Sequence, residues 1–227
     1  MPISVFAESL ALAGLEAPLA EGLMKLARPV ALAAGEVLFM AGDPGDGFYA
    51  IRDGSVKVVL NSADGGEQLL AVMGPGMLVG EMAILDGEPR SATVIGLKKA
   101  ELSFVSRADF ERFGDSRPEL YRHMLKIVSN RLRQANTVLA ARSFLPLPGR
   151  VALALLQLAD DFGKALPDGR VLVHYKVSQS DIAGMVGAAR ENVSRVLNDW
   201  KREGLVTRLS GYYCLNDPKA LEAFKAI

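Results

Sequence analysis

The residues best suited to binding a ligand lie between positions 79 and 94. Glu81 can accept a hydrogen bond from a sugar hydroxyl, Arg90 offers a charged fork of donors to a phosphate, and Ser91 adds a hydroxyl. A site for a lone anion would exclude a carboxylate this close, whereas a site for an anion joined to a sugar diol would use one. The segment therefore predicts a sugar-phosphate site.

The backbone of the same segment also favours an anion. Gly80 leaves room for close backbone approach, and the amides that follow it, on Glu81, Met82 and Ala83, open a predicted helical turn. The alternative interpretation is a surface helical turn that carries an ion pair between Arg90 and Glu81. The sequence alone leaves that alternative open.

A second group of residues predicts two short helices joined by a tight turn over residues 177–197. Ser178 and Asp181 have the spacing of a capping box, and Ile182 and Val186 lie four apart on one helical face. Gly187 stands where the turn requires a residue that tolerates positive φ. This pattern is typical of a helix-turn-helix.

The second of these helices carries a charged face suited to the edges of base pairs. Its inner face holds Val193, Val196 and Leu197, while Arg190, Glu191 and Arg195 are on the outer face. An arginine can donate two bonds to guanine and a carboxylate can accept one from cytosine. The alternative is a solvated Arg/Glu face on an ordinary helix pair.

The chain after this helix predicts a β-hairpin over residues 205–215, which turns at Ser210 and Gly211. Such a hairpin behind a helix-turn-helix forms a wing. Trp200, Tyr212 and Tyr213 are interpreted as core residues and not as platforms on which bases stack.

The N-terminal half has the sequence pattern of an all-β domain. Residues 5–26 predict one or two short helices, and turn signals then separate short β-prone runs up to residue 106. One of these turns is Asp64-Gly-Gly66. A sandwich or barrel is therefore expected, with strands at residues 37–40, 48–51, 55–60, 68–72, 92–95 and 101–105.

A long helix is expected between the two halves. Ser116 and Glu119 resemble a capping box with Pro118 in the first turn, and no Gly or Pro follows until Pro146. Apolar residues recur every three or four positions, which predicts a dimer seam, although packing within one domain is an alternative. The seam consists of Tyr121, Leu125, Val128, Leu132, Ala135 and Leu139.

The region behind the long helix predicts a hinge, a helix and a loop. Residues 145–149, with two prolines and a glycine, are expected to form the hinge. A helix is expected over residues 150–162, ending at Gly163, and residues 163–170 are expected to form a polar loop.

The composition narrows the class of protein. The chain has 227 residues, formal net charge zero and a single cysteine, Cys214, which excludes an internal disulfide and an all-cysteine iron–sulfur cluster. No signal peptide, membrane span, metal-ligand spacing, nucleophile elbow or phosphate-binding P-loop is recognised. A cytoplasmic protein that is not an enzyme is therefore expected.

Taken together, the motifs resemble those of the CRP/FNR family, the cyclic AMP receptor protein and fumarate-nitrate regulators. The resemblance covers nearly the whole chain and rests on Gly42-Asp-x-x-Asp46-x-x-Tyr49-x-Ile51-x-x-Gly54, on Gly80-Glu81 with Arg90-Ser91-Ala92, and on Arg190-Glu191 with Arg195. It implies an α+β fold with a jelly-roll-like cyclic-nucleotide-binding β-roll over residues 1–114. A dimerisation helix over residues 115–145 and a winged helix-turn-helix over residues 146–227 would follow.

The resemblance also implies roles and partners. A cyclic AMP or cyclic GMP effector would be held by Gly80, Glu81, Met82, Ala83, Arg90 and Ser91. Double-stranded DNA with a half-site similar to TGTGA would be read by Arg190, Glu191 and Arg195, with further contacts from Ser178, Gln179, Asn192 and Ser194. The protein would act as a homodimer through the 116–145 helix and would touch RNA polymerase at the exposed loop of residues 163–170.

One departure from the family concerns the purine of the effector. The cyclic-AMP branch places a threonine followed by serine or asparagine on the dimer helix, and the matching pair here is Ala135 and Asn136. The missing hydroxyl removes one bond, of about 0.5–1.5 kcal/mol. Cyclic GMP, or tolerance of both nucleotides, therefore stays open beside cyclic AMP.

Other possibilities are weighed against the same residues. An oxygen sensor would need a cysteine cluster and a haem sensor would need ligands in the β-domain, whereas His123 and His174 lie outside it. A regulator that is ligand-independent or answers cyclic di-GMP would not need Glu81, Arg90 and Ser91. A cyclic-nucleotide regulatory subunit that does not bind DNA would not need the charged second helix.

Overall fold

The structure is a computed structural model that describes residues 15–62 and 66–225. These residues form two compact units, the first of which extends to Leu132 and the second of which begins at Arg133. Residues 5–14 of the predicted N-terminal helices, and Asp64 and Gly65 of the predicted turn, lie outside the described residues.

The first unit is built on two antiparallel four-stranded sheets among the described residues. One sheet has the order β1-β8-β3-β6 and the other the order β2-β7-β4-β5. The strands are β1 (Arg28–Leu32), β2 (Val37–Phe39), β3 (Gly47–Asp53), β4 (Val56–Asn61), β5 (Glu67–Met73), β6 (Leu78–Val79), β7 (Thr93–Gly96) and β8 (Ala100–Ser106).

Strand β3 shows how the period of two in a strand places residues in two cores. Phe48 and Ala50 face a cluster that includes Phe110 and Leu120 from helices. Ile51 faces a second cluster, which joins both sheets and confirms the expected sandwich. The second cluster contains Leu32, Ile51, Val56, Met73, Val79, Val94, Ala100 and Leu102.

Four helices accompany these sheets between residues 15 and 144 of the described chain: α1 (Ala17–Lys25), α2 (Met82–Asp86), α3 (Arg107–Gly114) and α4 (Pro118–Phe144). Helix α3 begins behind Ser106, whose hydroxyl accepts a hydrogen bond from the Asp109 amide at 3.1 Å. Helix α2 is short because Gly87 follows it in the left-handed conformation, at φ 79°.

All six predicted strands are confirmed within one or two residues, but β1 and β6 were missed. Strand β1 contains Pro29, and proline is unfavourable in most strands because it has no amide hydrogen to donate. The residue is tolerated here because β1 is the outer strand of its sheet and pairs with β8 alone. Strand β6 has two residues, too few to show a period in the sequence.

Helix α4 contains the predicted apolar seam. The capping-box prediction is wrong, because the helix begins at Pro118 and Ser116 lies in the preceding turn. Along the seam Leu125, Leu132 and Leu139 are 59%, 61% and 65% exposed. Within residues 15–62 and 66–225, no helix combines the length and apolarity that crossing a membrane requires.

The second unit contains four further helices and one four-stranded sheet, among the residues that the structure describes. The sheet has the order β11-β12-β10-β9. The elements are α5 (Leu147–Phe162), β9 (Gly163–Ala165), β10 (Val171–Val173), α6 (Gln179–Val186), α7 (Arg190–Arg202), β11 (Val206–Leu209), β12 (Tyr212–Leu215) and α8 (Pro218–Ala223).

Two sequence predictions for this unit are corrected. The break behind α4 covers only Leu145 and Pro146, because Pro148 fits in the first turn of α5 and does not delay the helix to residue 150. Residues 163–170 are not a loop throughout, since Gly163–Ala165 form strand β9, which pairs with β10.

The predicted helix-turn-helix and wing are confirmed as structural elements. Ser178 caps α6, with the reciprocal bonds between Ser178 and Asp181 in place, and Gly187 ends the helix at φ 64°. Ser210 and Gly211, at φ 50° and 89°, form the turn between β11 and β12.

Replacing Gly187 tests whether the turn depends on its backbone conformation. We expect Gly187→Ala to lower the free energy of unfolding by about 1–2 kcal/mol, because a Cβ atom disfavours positive φ. Gly187→Asn should cost less, since asparagine tolerates this conformation. Urea unfolding followed by the fluorescence of Trp200, the single tryptophan, measures both. Equal losses for the two variants would contradict the prediction.

Candidate functional site

Arg90 carries a buried charge between α2 and β7 and is 4% exposed. Its Nη1 donates to the carbonyl oxygens of Gly47 and Gly80, at 2.6 and 2.7 Å, and its Nη2 donates to Asp46 Oδ1 at 2.8 Å. The guanidinium also lies 4.3 Å above the Phe39 ring. Its Nε is buried and has no hydrogen-bond partner among the described residues.

The turn over residues 42–47 fixes the backbone of Arg90 as well as its side chain. The Gly42 amide donates to the Arg90 carbonyl at 2.9 Å, and the Arg90 amide donates to the Asp43 carbonyl at 2.8 Å. Gly80 adopts φ 81°, and a Cβ atom there would lie 2.3 Å from Arg90 Nη1. The expectation that Gly80 permits a close approach is therefore confirmed, and the group that approaches is Arg90.

Glu81 is fully buried, at 0% exposure, and forms its ion pair with Arg131 of helix α4. Arg131 Nη1 donates to Glu81 Oε1, and Arg131 Nη2 donates to the Leu78 carbonyl. Glu81 Oε2 is buried and has no hydrogen-bond partner in the part of the chain that the structure describes. One oxygen of this carboxylate, Glu81 Oε2, can thus accept a hydrogen bond from a ligand.

Glu81 and Arg90 line one cleft of the first unit, and the predicted residues Gly80, Met82, Ala83 and Ser91 line it with them. Ser91 Oγ makes only a weak contact with Met82 Sδ, at 3.6 Å. The rest of the wall is Phe39, Val58, Val79, Ala92, Val94 and Arg131. The cleft therefore combines an apolar wall with a buried acceptor and a buried donor.

Two buried atoms of the cleft that lack a hydrogen-bond partner, Glu81 Oε2 and Arg90 Nε, indicate which ligand would fit. Glu81 Oε2 requires a donor such as a ribose hydroxyl, and Arg90 Nε requires an acceptor such as a phosphate oxygen. A ribose joined to a phosphate supplies both groups. The alternative of a surface turn with an Arg90–Glu81 ion pair is wrong, because both side chains are buried, Arg90 pairs with Asp46 and Glu81 pairs with Arg131.

Sequence reasoning missed Arg131 and Phe39, and it singled out Asp46 only as part of the Gly42–Gly54 motif and not as the partner of Arg90. Arg131 is fifty positions from Glu81 and Asp46 is 44 from Arg90, so no local spacing shows either pair. Tyr49 packs between Phe39 and Phe104, with ring centroids 6.0 and 4.9 Å away. Burial raises the pKa of the Tyr49 hydroxyl, Asp46 raises it further and Arg90 lowers it.

Ala135 and Asn136, the predicted purine contacts, lie on α4 beyond Leu132 and belong to the second unit. Both residues are exposed to solvent. Their role toward a ligand remains a prediction.

The face of the helix-turn-helix is assembled in the second unit. Of the residues predicted on the inner side of α7, Val193 and Leu197 are buried and Val196 is half-buried, and Trp200 is buried with them. A shallow depression on the outer side is lined by Gln179, Arg190, Glu191, Ser194 and Arg195. Asn192 is exposed beside them. The Ser178 hydroxyl is engaged in capping α6, where it donates to Asp181 Oδ2 at 2.7 Å.

Two arginines hold the turn that precedes the outer face. Arg150 Nη1 donates to the Val186 carbonyl at 2.9 Å, and Arg142 Nη2 donates to the Met185 carbonyl at 3.4 Å. Cations are favourable at this C-terminal end of α6, where the last carbonyls lack helical partners. The turn therefore fixes the start of α7.

Of the three aromatic residues predicted to lie in the core, Trp200 of α7 and Tyr213 of β12 are buried, whereas Tyr212 of β12 is half-buried. Trp200 is 3% exposed and packs on Phe224, with ring centroids 5.1 Å apart. Tyr213 is also 3% exposed, and burial raises the pKa of its hydroxyl. Arg208 stacks on Tyr213 at 4.8 Å and donates to the Val177 carbonyl at 3.1 Å, which ties the wing to the start of α6.

Neither histidine lies in the cleft. His123 is 8% exposed in helix α4, and His174 stacks on the Tyr212 ring at a centroid distance of 5.6 Å. Among the described residues, no three His, Cys, Asp or Glu side chains form a group that could hold a metal ion.

A β-sandwich whose cleft holds a buried carboxylate and a buried guanidinium, followed by a long helix and a winged helix-turn-helix, is the architecture of a class of transcription regulator. Residues 29–117 match the model of the cyclic nucleotide-binding domain, and residues 149–224 match that of the Crp-like helix-turn-helix domain. The chain is 36% identical to a CRP-like cAMP-activated global transcriptional regulator of Mycobacterium tuberculosis, over 87% of this chain and 88% of the relative.

Solved structures agree with this class. A CRP/FNR-family regulator of Thermus thermophilus superposes with a TM-score of 0.70 at 26% identity, covering 87% of this chain and 98% of that one. The c-di-GMP responsive global regulator CLP of Xanthomonas campestris has a TM-score of 0.74 at 22% identity, covering 89% and 100%, and shares the fold. The protein belongs to the CRP/FNR family of transcription regulators.

The buried ion pair between Glu81 and Arg131 can be tested by a double-mutant cycle. We expect Arg131→Met to lower the free energy of unfolding of the first unit by about 3 kcal/mol, because it leaves a buried carboxylate without its cation. Adding Glu81→Gln should restore part of this loss. Urea unfolding followed by far-UV circular dichroism measures the cycle, and additive losses would show that the pair is not coupled.

Proposed function

We propose that this protein is a transcription regulator whose binding to DNA is controlled by cyclic AMP, cyclic GMP or both. The observation that carries the proposal is the pair of orphaned buried atoms, Glu81 Oε2 and Arg90 Nε, in residues that line one cleft. The ribose would donate to Glu81, and the cyclic phosphate would accept from Arg90, with Ser91 and the backbone of Gly80, Met82 and Ala83 around it. The domain match and the cAMP-activated relative support this ligand class.

The purine preference depends on the long helix. Asn136 can both donate and accept hydrogen bonds, whereas Ala135 offers none. We therefore propose that both cyclic nucleotides bind and that discrimination between them is modest. Cyclic di-GMP, the ligand class named for the Xanthomonas neighbour, serves as the competing ligand in the same titrations.

The operator is proposed to be a palindrome of TGTGA-like half-sites. Arg190, Glu191 and Arg195 would read base edges in the major groove, with Asn192 and Ser194 beside them. Gln179 and Ser178 would lie near the phosphates. A twofold dimer matches inverted half-sites one helical turn apart, roughly 34 Å between centres.

Dimerisation is proposed through the 116–145 helix. Its seam residues Leu125, Leu132 and Leu139 are each more than half exposed in the single chain, which is costly for large apolar side chains in one row. A second copy of the helix would cover them. We also propose contact with RNA polymerase near residues 163–170 and action in the cytoplasm.

Calorimetric titration tests the effector site through Arg90. We expect cyclic nucleotide to bind the wild-type protein and Arg90→Ala to weaken binding at least 100-fold, because the phosphate loses a charged donor that is shielded from water. Ser91→Ala should weaken it about 2- to 10-fold. Arg112→Ala, at an exposed arginine of α3, is the control and should bind like wild type. Unchanged affinity of folded Arg90→Ala would remove the pocket assignment.

Fluorescence anisotropy with a TGTGA palindrome tests base reading. We expect Arg190→Ala to cost about 1–3 kcal/mol at one base step and to relax the sequence preference there. The control, Arg202→Ala at the exposed end of α7, should keep the preference. A loss of affinity that is uniform over all operator sequences would mark Arg190 as a phosphate contact instead.

A further inference from the structure

Arg107, the first residue of helix α3, joins two segments of the cleft that are distant in sequence. Its Nη2 donates to the Gly45 carbonyl at 3.0 Å and also to the Ala83 carbonyl. Its Nε donates to the Gly45 carbonyl at 3.3 Å. One guanidinium therefore binds the turn over residues 42–47 and helix α2 together.

Each of these two segments presents one half of the candidate site. The turn supplies Asp46 and the Gly47 carbonyl to Arg90, and α2 directly follows Glu81 and contains Ala83 of the cleft wall. The spacing between Glu81 and Arg90 thus depends on how the turn sits against α2.

The contact between the segments is tight at Gly45. A Cβ atom built on Gly45 would lie 2.2 Å from the Ala83 Cβ, so no side chain fits between them. The Arg107 amide adds a hydrogen bond to the Asp46 carbonyl, at 2.8 Å. The backbone and the side chain of Arg107 therefore both hold this turn.

The position of Arg107 is unfavourable for helix α3 itself. A cation in the first turn faces the positive end of the helix dipole, which costs about 0.3–1 kcal/mol. Ser106 and Asp109 already satisfy the start of the helix. The side chain is half-buried and directed to carbonyls outside α3, so its interactions lie with the cleft.

We propose that Arg107 is a positioning residue for the effector cleft. It holds the turn over residues 42–47 against α2, and so sets the separation of the Arg90 donor from the Glu81 acceptor. Arg107 itself touches no ligand. The proposal rests on the proposed function only for its effect on nucleotide affinity, because the brace between the two segments exists in the free protein.

Hydrogen exchange and calorimetry on the full-length protein test the proposal. We expect Arg107→Met to speed amide exchange about tenfold or more in peptides covering residues 42–47 and 82–91 of the ligand-free protein, with the rest of the β-domain unchanged. Cyclic AMP affinity should fall about tenfold. Arg107→Lys, which keeps the charge but can bridge fewer carbonyls, should lie between Arg107→Met and wild type.

The matched control is Arg117→Met. Arg117 is also half-buried, donates to one carbonyl, that of Phe113, at 2.6 Å, and stacks on the Phe113 ring, but it touches neither segment. Exchange in the two segments should stay at the wild-type rate in this variant. Gly45→Ala, which forces the same two segments apart by another route, should reproduce the effect of Arg107→Met.

The outcomes separate the two proposals. Wild-type exchange in Arg107→Met, or equal acceleration in Arg117→Met, overturns the positioning role. If the wild-type protein binds neither cyclic AMP nor cyclic GMP, the proposed effector is wrong, while the exchange data still decide whether Arg107 braces the cleft. Accelerated exchange in Arg107→Met with unchanged nucleotide affinity would show that Arg107 does not determine the geometry of the binding site. That result would also overturn the proposal.

Discussion

The architecture of the cleft in the first unit depends on the burial of one charged group, the guanidinium of Arg90. Arg90 is 4% exposed, and a buried charge is tolerated only where hydrogen bonds replace its hydration. The Asp46 carboxylate, two backbone carbonyls and the Phe39 ring supply that replacement. Since these partners come from three separate segments, the position of Arg90 is fixed only when the sandwich is complete.

Two buried atoms without hydrogen-bond partners connect this arrangement to the proposed function. Each buried polar atom without a partner costs about 1–3 kcal/mol, and Arg90 Nε and Glu81 Oε2 are two such atoms on residues that line the same cleft. Under the proposed function, the ribose and phosphate of the effector would provide the missing hydrogen-bond partners. The Arg131 side chain pairs with Glu81, so helix α4, which carries the exposed leucine seam, contributes a residue to the wall of the cleft.

The sequence predicted those parts of the molecule that local rules determine. Alternating residues and turns gave six strands, the Ser178–Asp181 box and Gly187 gave the helix-turn-helix, and Gly80 marked the close approach. Partners separated by 44 or fifty positions, such as Asp46 with Arg90 and Arg131 with Glu81, were missed because no local pattern encodes them. Helix α5 began earlier than expected because proline is compatible with a first helical turn.

The guanidinium of Arg90 offers the most direct measurement. The side-chain ¹⁵Nε–Hε resonance, assigned by comparison with Arg90→Lys, can be followed by NMR while cyclic AMP or cyclic GMP is added. We predict a saturable downfield shift and slower exchange with water, because the orphaned Nε–H gains a phosphate acceptor. A resonance that stays unchanged at nucleotide concentrations that saturate the protein would contradict the central claim that Arg90 holds the phosphate.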